Sequence, residues 1–346
     1  MSPAEAAPRI LVIRRDNIGD LVCTTPLIRS LRAQLPRARI AALATRYNAP
    51  ALAGNPDLDA VYAYTKAKHR AHGESVFAVY ARRVRLVFEL RREHFDWALL
   101  PGGPHASALW FARWIGARRT LVRGAADAAA GAHEVEQCCN LLVRMGLRYE
   151  APSLRVVADP LEVAALGSRI AAHWGARPRR LVGLHLSARK PSQRWAGANF
   201  AEVARALHRE TGASILLLWA PGQSDDRLHP GDDDKAQAVL AATTGAPVLP
   251  VATQRLEGLI AALAQCDQIV CCDGGAMHLA AALGKPIVCL FGHSDASRWR
   301  PWGVPHELLQ RGTRDVADIA PGDAIAAYAR LLDRLAVPAQ AELPSA

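Results

Sequence analysis

Residues 271–286 read Cys-Cys-Asp-Gly-Gly-Ala-Met-His-Leu-Ala-Ala-Ala-Leu-Gly-Lys-Pro and continue an apolar run that begins at Gln268. That run predicts a buried parallel strand, Gly274 and Gly275 allow a tight turn, and the residues from His278 to Leu283 predict a helix. The free N–H groups in the first turn of such a helix attract anions, because they have no partners within the helix. The stretch therefore predicts a phosphate cradle in the second half of the chain.

The same alternation of strands and helices runs through both halves of the chain, which is typical of open parallel sheets. Strands are predicted at residues 9–14, 39–44, 60–64, 97–100, 181–186, 214–219, near 248, 268–272 and 286–291. Helices are predicted at 21–35, 160–174, 199–211, 233–243, 256–265, 277–283 and 321–335. A chain of 346 residues fits two domains. We predict an N-terminal domain over 1–176, a C-terminal domain over 177–320, and a last helix with a mobile tail over 321–346.

Composition excludes several classes of protein. The chain is 51% hydrophobic and 21% charged, which is ordinary for a globular protein. Neither a membrane-spanning apolar run nor an N-terminal signal core is present in the sequence, so we expect a cytoplasmic protein. The seven cysteines have mostly apolar neighbours and no Cys-x-x-Cys spacing, so we expect reduced core residues and no metal site. The absence of the Rossmann glycine fingerprint and of a Walker motif disfavours dehydrogenases and ATPases.

The formal charge of +10 favours an acidic partner: nucleic acid, an anionic membrane surface or a phosphorylated substrate. A nucleic-acid-binding protein would interleave basic residues with exposed aromatic ones, and only 6% of the residues are aromatic. We therefore expect no nucleic-acid partner. Many of the arginines, including those in 82–85, can also be plain solvated residues.

Two polar motifs follow predicted strands at their carboxyl ends, where open parallel sheets bind ligands. One is the cradle, and the other is Asn17-Ile18-Gly19-Asp20 after the first strand. An ionised Asp20 could accept a proton from a substrate hydroxyl, and Asp16 is a second candidate for that role. The alternatives are structural: Asp20 as a helix N-cap, Asp273 as an Asx-turn partner of the glycines, and His278 as a half-buried core histidine.

The stretch 273–286, with Leu-Phe-Gly at 290–292 and Trp-Arg-Pro-Trp-Gly at 299–303, resembles the C-terminal signature of glycosyltransferase family 9. These are the bacterial ADP-heptose:lipopolysaccharide heptosyltransferases. The N-terminal residues 10–15, 17–22 and 25–31 resemble the family's opening motif, and Arg194-Trp195 lies between the two. The resemblance spans nearly the whole chain. It implies an α/β GT-B fold, in which two Rossmann-like domains face each other across a cleft, with the acceptor on the N-terminal domain and the nucleotide sugar on the C-terminal one.

The resemblance also implies an inverting, metal-independent transfer of heptose from ADP-heptose to a lipopolysaccharide core acceptor, without a cofactor. Asp20 matches the family's catalytic base, and residues at the cradle match its diphosphate contacts. The implied donor-binding set is Asp273, Gly274, Gly275, His278, Lys190, Arg194, Ser187 and Asp225. The alternatives are a family member that uses another nucleotide sugar or acceptor, and a non-catalytic binder of sugar nucleotides.

The sequence departs from the family pattern at three places on the donor side. Gln193 stands where the family commonly has a lysine before its tryptophan, so Lys190 or Arg194 is expected to neutralise the diphosphate. Gly274 stands where many relatives have a threonine, which removes a hydroxyl donor. Asp225 matches the family's acidic ribose contact only with a shift of one residue, because Ser224 fits the spacing.

On the acceptor side, the candidate residues are Asn17, Gly19, Lys66, Lys68, Arg70 and His105. The basic segment 66–72 and Arg82-Arg83 are expected to hold acidic sugars or phosphates of the lipopolysaccharide core, and their amphipathic surroundings to touch the inner membrane. The alternative is a solvated loop. Residues 100–107 follow another predicted strand and either line the acceptor side or form only a turn.

Overall fold

The computed structural model describes residues 7–66, 75–124, 131–224 and 231–336. Contacts divide the chain into two compact units. Unit 1 comprises residues 1–162, 255–261 and 297–303, and unit 2 comprises 163–254, 262–296 and 304–346. The first change of unit therefore comes at residue 162, ahead of the boundary expected at 176. In this division the C-terminal helix falls within unit 2.

Unit 1 is built on a sheet of five parallel strands in the order β3-β2-β1-β4-β5. The strands are β1 (Arg9–Ile13), β2 (Arg39–Thr45), β3 (Ala60–Tyr64), β4 (Trp97–Leu100) and β5 (Arg119–Val122). Its helices are α1 (Ile18–Val22), α2 (Thr25–Gln34), α3 (Val76–Arg92), α4 (Ala106–Ile115) and α5 (Glu134–Arg144). Because β1 is central, its residues 10–13 are completely buried and apolar.

The single helix predicted over residues 21–35 was wrong, because two helices occupy this region. α1 begins at Ile18, and α2 begins at Thr25 after a turn at Cys23 and Thr24. Pro26 lies in the first turn of α2, where a missing backbone N–H leaves no hydrogen bond unmade. Apolar residues continue on both sides of this turn, so their periodicity did not reveal it.

Unit 2 contains six parallel strands in the order β11-β10-β9-β6-β7-β8. The strands are β6 (Leu181–His185), β7 (Ser214–Trp219), β8 (Val248–Ala252), β9 (Gln268–Cys272), β10 (Ile287–Phe291) and β11 (His306–Gln310). The helices wholly within unit 2 are α7 (Gly197–Thr211), α8 (Asp233–Ala242), α10 (Gly275–Ala282) and α12 (Pro321–Ala336). Three further helices cross a change of unit: α6 (Pro160–Trp174), α9 (Leu256–Gln265) and α11 (Ala296–Trp299). Both sheets are Rossmann-like, and the strand order reverses between β1 and β4 in unit 1 and between β6 and β9 in unit 2. Ligands of such sheets bind at the carboxyl ends of those strands.

Each unit has its own apolar core. Phe95 and Phe111 are buried in unit 1, while Trp195 and Tyr328 are buried in unit 2. All seven cysteine side chains are buried, as the sequence predicted. Within the residues that the structure describes, no helix combines the length and apolar character needed to cross a membrane.

Candidate functional site

The carboxyl edge of the unit 1 sheet is organised around Arg14, which follows β1. Its side chain is only 2% exposed and reaches three carboxylates: Asp16 at 3.1 Å, Asp20 at 2.7 Å and Glu134 at 2.8 Å. Burying a guanidinium is costly unless carboxylates surround it, so these contacts fix the arrangement. Arg14 thus connects both predicted aspartates to a third acidic residue.

Asp20 is the third residue of α1, and Asn17 is its N-cap, so the reading of Asp20 itself as the N-cap was wrong. One carboxylate oxygen accepts a hydrogen bond from Arg14, and the other accepts from the backbone N–H of Asn17 at 3.1 Å and from its Nδ2 at 2.8 Å. Burial raises the pKa of this carboxyl. The charge of Arg14 and the hydrogen bonds outweigh that effect, so the pKa of Asp20 lies below its ordinary value.

Glu134, the first residue of α5, was not found by sequence reasoning. Its side chain is completely buried, and one oxygen accepts hydrogen bonds from Arg14 and Arg123, both at 2.8 Å. The other oxygen accepts from Arg298 at 2.6 and 3.0 Å. Burial opposes ionisation, but the charges of Arg14 and Arg123 and the hydrogen bonds to the carboxylate lower the pKa of Glu134. No local motif could reveal this group, since Glu134 lies 120 residues from Arg14 and 164 from Arg298.

Residues 297–303 reach unit 1 although the chain on both sides of them belongs to unit 2. His133, the N-cap of α5, accepts a hydrogen bond from the N–H of Val135 at Nδ1, so its Nε2 donates to the carbonyl of Arg300 at 2.8 Å. Trp302 stacks on His133 with ring centroids 4.6 Å apart, and it donates to the carbonyl of Pro152. Burial lowers the pKa of His133, consistent with a neutral ring. The motif at 299–303 therefore holds the segment that carries Arg298 to Glu134.

The predicted acceptor residues that the structure describes all lie at this same edge of the sheet. Asn17 holds Asp20, and Gly19 is buried within α1. Lys66 is half-buried just after β3, and His105 is exposed at the start of α4 after β4. The remaining two predicted acceptor residues, Lys68 and Arg70, lie outside the described residues.

The carboxyl edge of the unit 2 sheet carries the predicted cradle, with Asp273 after β9 and Gly274 before α10. Asp273 is 6% exposed, and its carboxylate accepts a hydrogen bond from Gln193. Burial raises the pKa of Asp273 above its ordinary value, although a hydrogen bond from Ser294, the charge of Lys190 and the bond from Gln193 act against this. Gln193, at the position of the usual family lysine, therefore gives Asp273 a neutral partner.

The other predicted donor residues have different surroundings. Arg194 donates to the carbonyls of Ala188 and Arg189, both at 3.2 Å, and so braces the loop in which Lys190 is exposed. The hydroxyl of Ser187 accepts from the N–H of Ala220 and joins the ends of β6 and β7.

Three predicted donor residues lie at the start of α10: Gly274 in the turn before it, Gly275 as its first residue, and His278 within it. His278 is 3% exposed, and Gly274 has an extended backbone with open space where a Cβ would lie. Asp225 lies outside the described residues.

Asp233 is a second residue that sequence reasoning missed. One of its carboxylate oxygens accepts from the indole N–H of Trp219 at 2.7 Å, and the other accepts from the backbone N–H of Gly222 at 2.9 Å. These hydrogen bonds lower the pKa of Asp233. They hold Trp219 and Gly222, at the end of β7, against the start of α8.

Residues 83–318 match the sequence profile of glycosyltransferase family 9 (heptosyltransferase). This chain belongs to that family. The match covers more than half of the chain, and it makes the protein a glycosyltransferase of the heptosyltransferase type. The site residues Arg14 and Asp20 precede the matched region, whereas Glu134, Asp273 and Arg298 lie within it.

Two similar proteins extend the likeness to family 9 into the part of the chain before residue 83. Lipopolysaccharide heptosyltransferase 3 of Escherichia coli is 25% identical over 91% of this chain and 95% of its own length. Lipopolysaccharide heptosyltransferase 2 of Salmonella typhimurium is 28% identical over 83% of each chain.

Solved structures show the same fold for this family 9 chain. A family 9 glycosyl transferase from Veillonella parvula superimposes with a TM-score of 0.78 and 20% identity, covering 96% of this chain and 99% of its own. The Escherichia coli ADP-heptose lps heptosyltransferase II gives 0.73 with 21% identity, covering 95% and 100%. The expected GT-B class, with two Rossmann-like units, is confirmed.

Proposed function

We propose that this family 9 enzyme transfers heptose from ADP-heptose to a lipopolysaccharide core acceptor by an inverting, metal-independent displacement. The names of its relatives support the sugar and the acceptor. The observation that carries the chemistry is Asp20, a carboxylate kept ionised by Arg14 and Asn17 at the carboxyl edge of a parallel sheet. This edge is where such sheets bind their ligands.

In the proposed reaction, Asp20 accepts the proton of the acceptor hydroxyl. The hydroxyl oxygen forms a bond to the anomeric carbon, the bond from that carbon to the phosphate oxygen breaks, and ADP leaves with the electron pair. A carboxylate of low pKa is a weak base toward a neutral alcohol. Proton transfer to Asp20 therefore follows bond formation, once the acceptor oxygen has become acidic.

Unit 2 supplies the proposed donor site. The departing diphosphate is held by the backbone N–H groups at the start of α10, beside Gly274 and Gly275, in keeping with the anion preference of helix N-termini. Lys190 supplies the positive charge, since it is exposed while Arg194 is occupied by loop carbonyls. Asp273 positions this loop through Gln193, and Ser187 and His278 complete the proposed site.

On the acceptor side, we propose that Lys66, His105, Asn17 and Gly19 border the core sugar, because all four lie at the same sheet edge as Asp20. Lys66 and the net charge of +10 suit an acceptor that carries phosphates or acidic sugars. The cytoplasmic location stays a prediction of the sequence.

The test is release of ADP from ADP-heptose with heptose-deficient lipopolysaccharide core and EDTA, comparing the native chain with Asp20→Asn. Release that survives EDTA and collapses in Asp20→Asn, while donor binding persists, supports the proposal. Asp16→Asn is the matched control, because Asp16 also contacts Arg14 but should not take the proton.

Three other outcomes contradict the proposal in distinguishable ways. Donor binding without release points to another acceptor or to a non-catalytic binder. No donor binding excludes ADP-heptose as the donor. Loss of release with EDTA that added divalent metal restores shows that the transfer depends on a metal ion.

A further inference from the structure

An exposed apolar surface covers the outer side of α3 and α4 in unit 1. We name it the α3–α4 face, and it comprises Phe77, Tyr80, Val84, Phe88, Leu109, Trp110 and Trp114. Phe77 is 87% exposed and Phe88 61%, although both are large and apolar. Contiguous apolar surface of this kind is uncommon on a monomeric protein and marks an interaction site.

The helical geometry places these residues on one side of α3. Phe77, Val84 and Phe88 stand seven and eleven positions apart, which aligns them in one stripe along the helix. A different side of α3 packs into the core through Val87 and Leu90. The exposed stripe is therefore additional to the apolar side that the fold itself needs.

α4 extends the surface sideways. It packs against α3, and the side chain of Arg91 donates to the carbonyl of Trp114 at 3.5 Å. Trp110 and Trp114 lie with their rings 6.1 Å apart and are 38% and 52% exposed. Tryptophan and phenylalanine are side chains that favour the boundary between lipid headgroups and acyl chains.

Cationic residues surround the apolar stripe. α3 contains five arginines and one acidic residue, Glu89. Arg83 lies over the rings of Tyr64 and Tyr80, whereas the other four arginines are exposed. Those four are Arg82, Arg85, Arg91 and Arg92. An apolar stripe with arginines on both sides complements a surface of anionic phosphates above hydrocarbon.

We propose that the α3–α4 face binds the surface of an anionic phospholipid bilayer, with the aromatic side chains inserted at headgroup level and the arginines on the lipid phosphates. A second copy of the chain is the other candidate for an apolar face. A symmetric pairing would bring the arginine-rich borders of α3 against each other, and like charges across an interface oppose association. The charge pattern thus favours lipid.

Side-chain contacts connect α3 to the candidate acceptor edge. Tyr64, the last residue of β3, accepts a hydrogen bond from Arg15 at 2.7 Å and lies 5.2 Å beneath the guanidinium of Arg83 on α3. A lipid-linked acceptor would thereby be held near Asp20, a consequence that rests on the proposed function. Bilayer binding itself does not depend on it. The basic segment 66–72, expected to border such a contact, lies mostly outside the described residues.

The experiment is vesicle flotation of the full chain with two kinds of liposome, phosphatidylcholine alone and phosphatidylcholine with phosphatidylglycerol. We expect binding to the anionic vesicles to be at least tenfold stronger and to weaken in high salt. Phe77→Ser with Phe88→Ser, and separately Arg85→Glu with Arg92→Glu, should each lower binding at least tenfold. Val143→Ser is the matched control, since Val143 is a 57% exposed apolar residue on α5.

All of these side chains are exposed, so the melting temperatures should match that of the native chain, and ADP release with a soluble acceptor should be unchanged. ADP release with a soluble acceptor separates a failure of this proposal from a failure of the proposed function. Absence of binding to anionic vesicles, or equal binding by the Phe77 and Phe88 variant, overturns the proposal. A lipid-free dimer that this variant dissociates would assign the face to a second copy instead.

Discussion

Asp20 in unit 1 and Asp273 in unit 2 lie at corresponding places in two similar sheets, yet their surroundings are opposite. Both are at the carboxyl edge, and both are mostly buried, with the Asp20 side chain 15% and Asp273 6% exposed. Asp20 faces the guanidinium of Arg14, and its pKa is lowered. Asp273 faces the amide of Gln193, and its pKa is raised.

The difference shows that burial alone does not decide the charge of a carboxyl group in this fold. Burial disfavours the ionised form at both positions, and only the nearby cation with its hydrogen bonds reverses the result at Asp20. Unit 1 therefore maintains a negative charge where a base is proposed. In unit 2 the hydrogen bonds from Ser294 and Gln193 and the charge of Lys190 do not outweigh the burial of Asp273, so its pKa stays raised.

The largest effect on catalysis should come from replacing Asp20 by asparagine, with Asp273→Asn as the comparison. We expect Asp20→Asn to lower kcat by roughly 10² to 10⁴-fold, the range for removal of a general base. Asp273→Asn should change kcat less than tenfold and act mainly on the KM for the donor. Steady-state ADP release by both variants checks this. Equal losses of kcat would remove the functional distinction between the two residues.

Next in size is the effect of Glu134→Gln on folding. Loss of this buried charge leaves three arginines without their common partner, so we expect the free energy of unfolding to fall by about 3 to 5 kcal/mol. Chemical denaturation measures it. Glu93→Gln is the matched control, because Glu93 also holds two arginines but at the opposite sheet edge, with 18% of its side chain exposed. That control should cost less than Glu134→Gln, because solvent reaches Glu93 and screens its ion pairs, and similar costs for the two variants would contradict the special role of Glu134.

A smaller effect, of opposite sign in the two units, should appear in stability against pH. Asp20 has a lowered pKa when folded, so its contribution is present above its unfolded pKa of about 3.9 and is lost as pH falls through the folded value. Asp273 has a raised pKa, so its contribution is present below that unfolded value and is lost as pH rises through the folded value. As pH rises from about 2 to 5, the melting temperature of Asp20→Asn relative to the native chain should fall by a few degrees. As pH rises from about 4 to 7, that of Asp273→Asn should rise by a few degrees. Parallel trends would refute this.

The smallest expected effect concerns the cradle itself. Gly274 has an extended backbone, and no atom lies within 4 Å of the place that a Cβ would take, so Gly274→Thr should fold normally. Its hydroxyl can donate to the donor diphosphate, and one neutral hydrogen bond is worth about 0.5 to 1.5 kcal/mol. We expect ADP to bind about 2- to 12-fold more tightly, as calorimetry would show. Gly274→Ala is the control that adds the carbon without the hydroxyl.

Much of the fold was predictable, because buried parallel strands appear as short apolar runs between turn residues. The predicted strands 60–64, 97–100, 214–219 and 268–272 have the observed bounds. The helix over 21–35 was wrong because the turn at Cys23 and Thr24 lies between two apolar helices. In the candidate site, the motifs identified Asp20 and Asp273, but Glu134 and Arg298 were missed. Their contact joins residues far apart in the sequence, and only the folded chain brings them together.

The place of residues 297–303 in unit 1 limits how this protein can be divided into fragments. The chain passes between the units at residues 162, 254, 261, 296 and 303, so no single cut separates two complete units. A fragment that ends at residue 162 would keep Glu134 but lose Arg298, and would expose the His133 ring that Trp302 covers. Exchange of unit 1 between family members would therefore require all three of its segments. Residues 297–303 must be included because Arg298 and Trp302 contact Glu134 and His133.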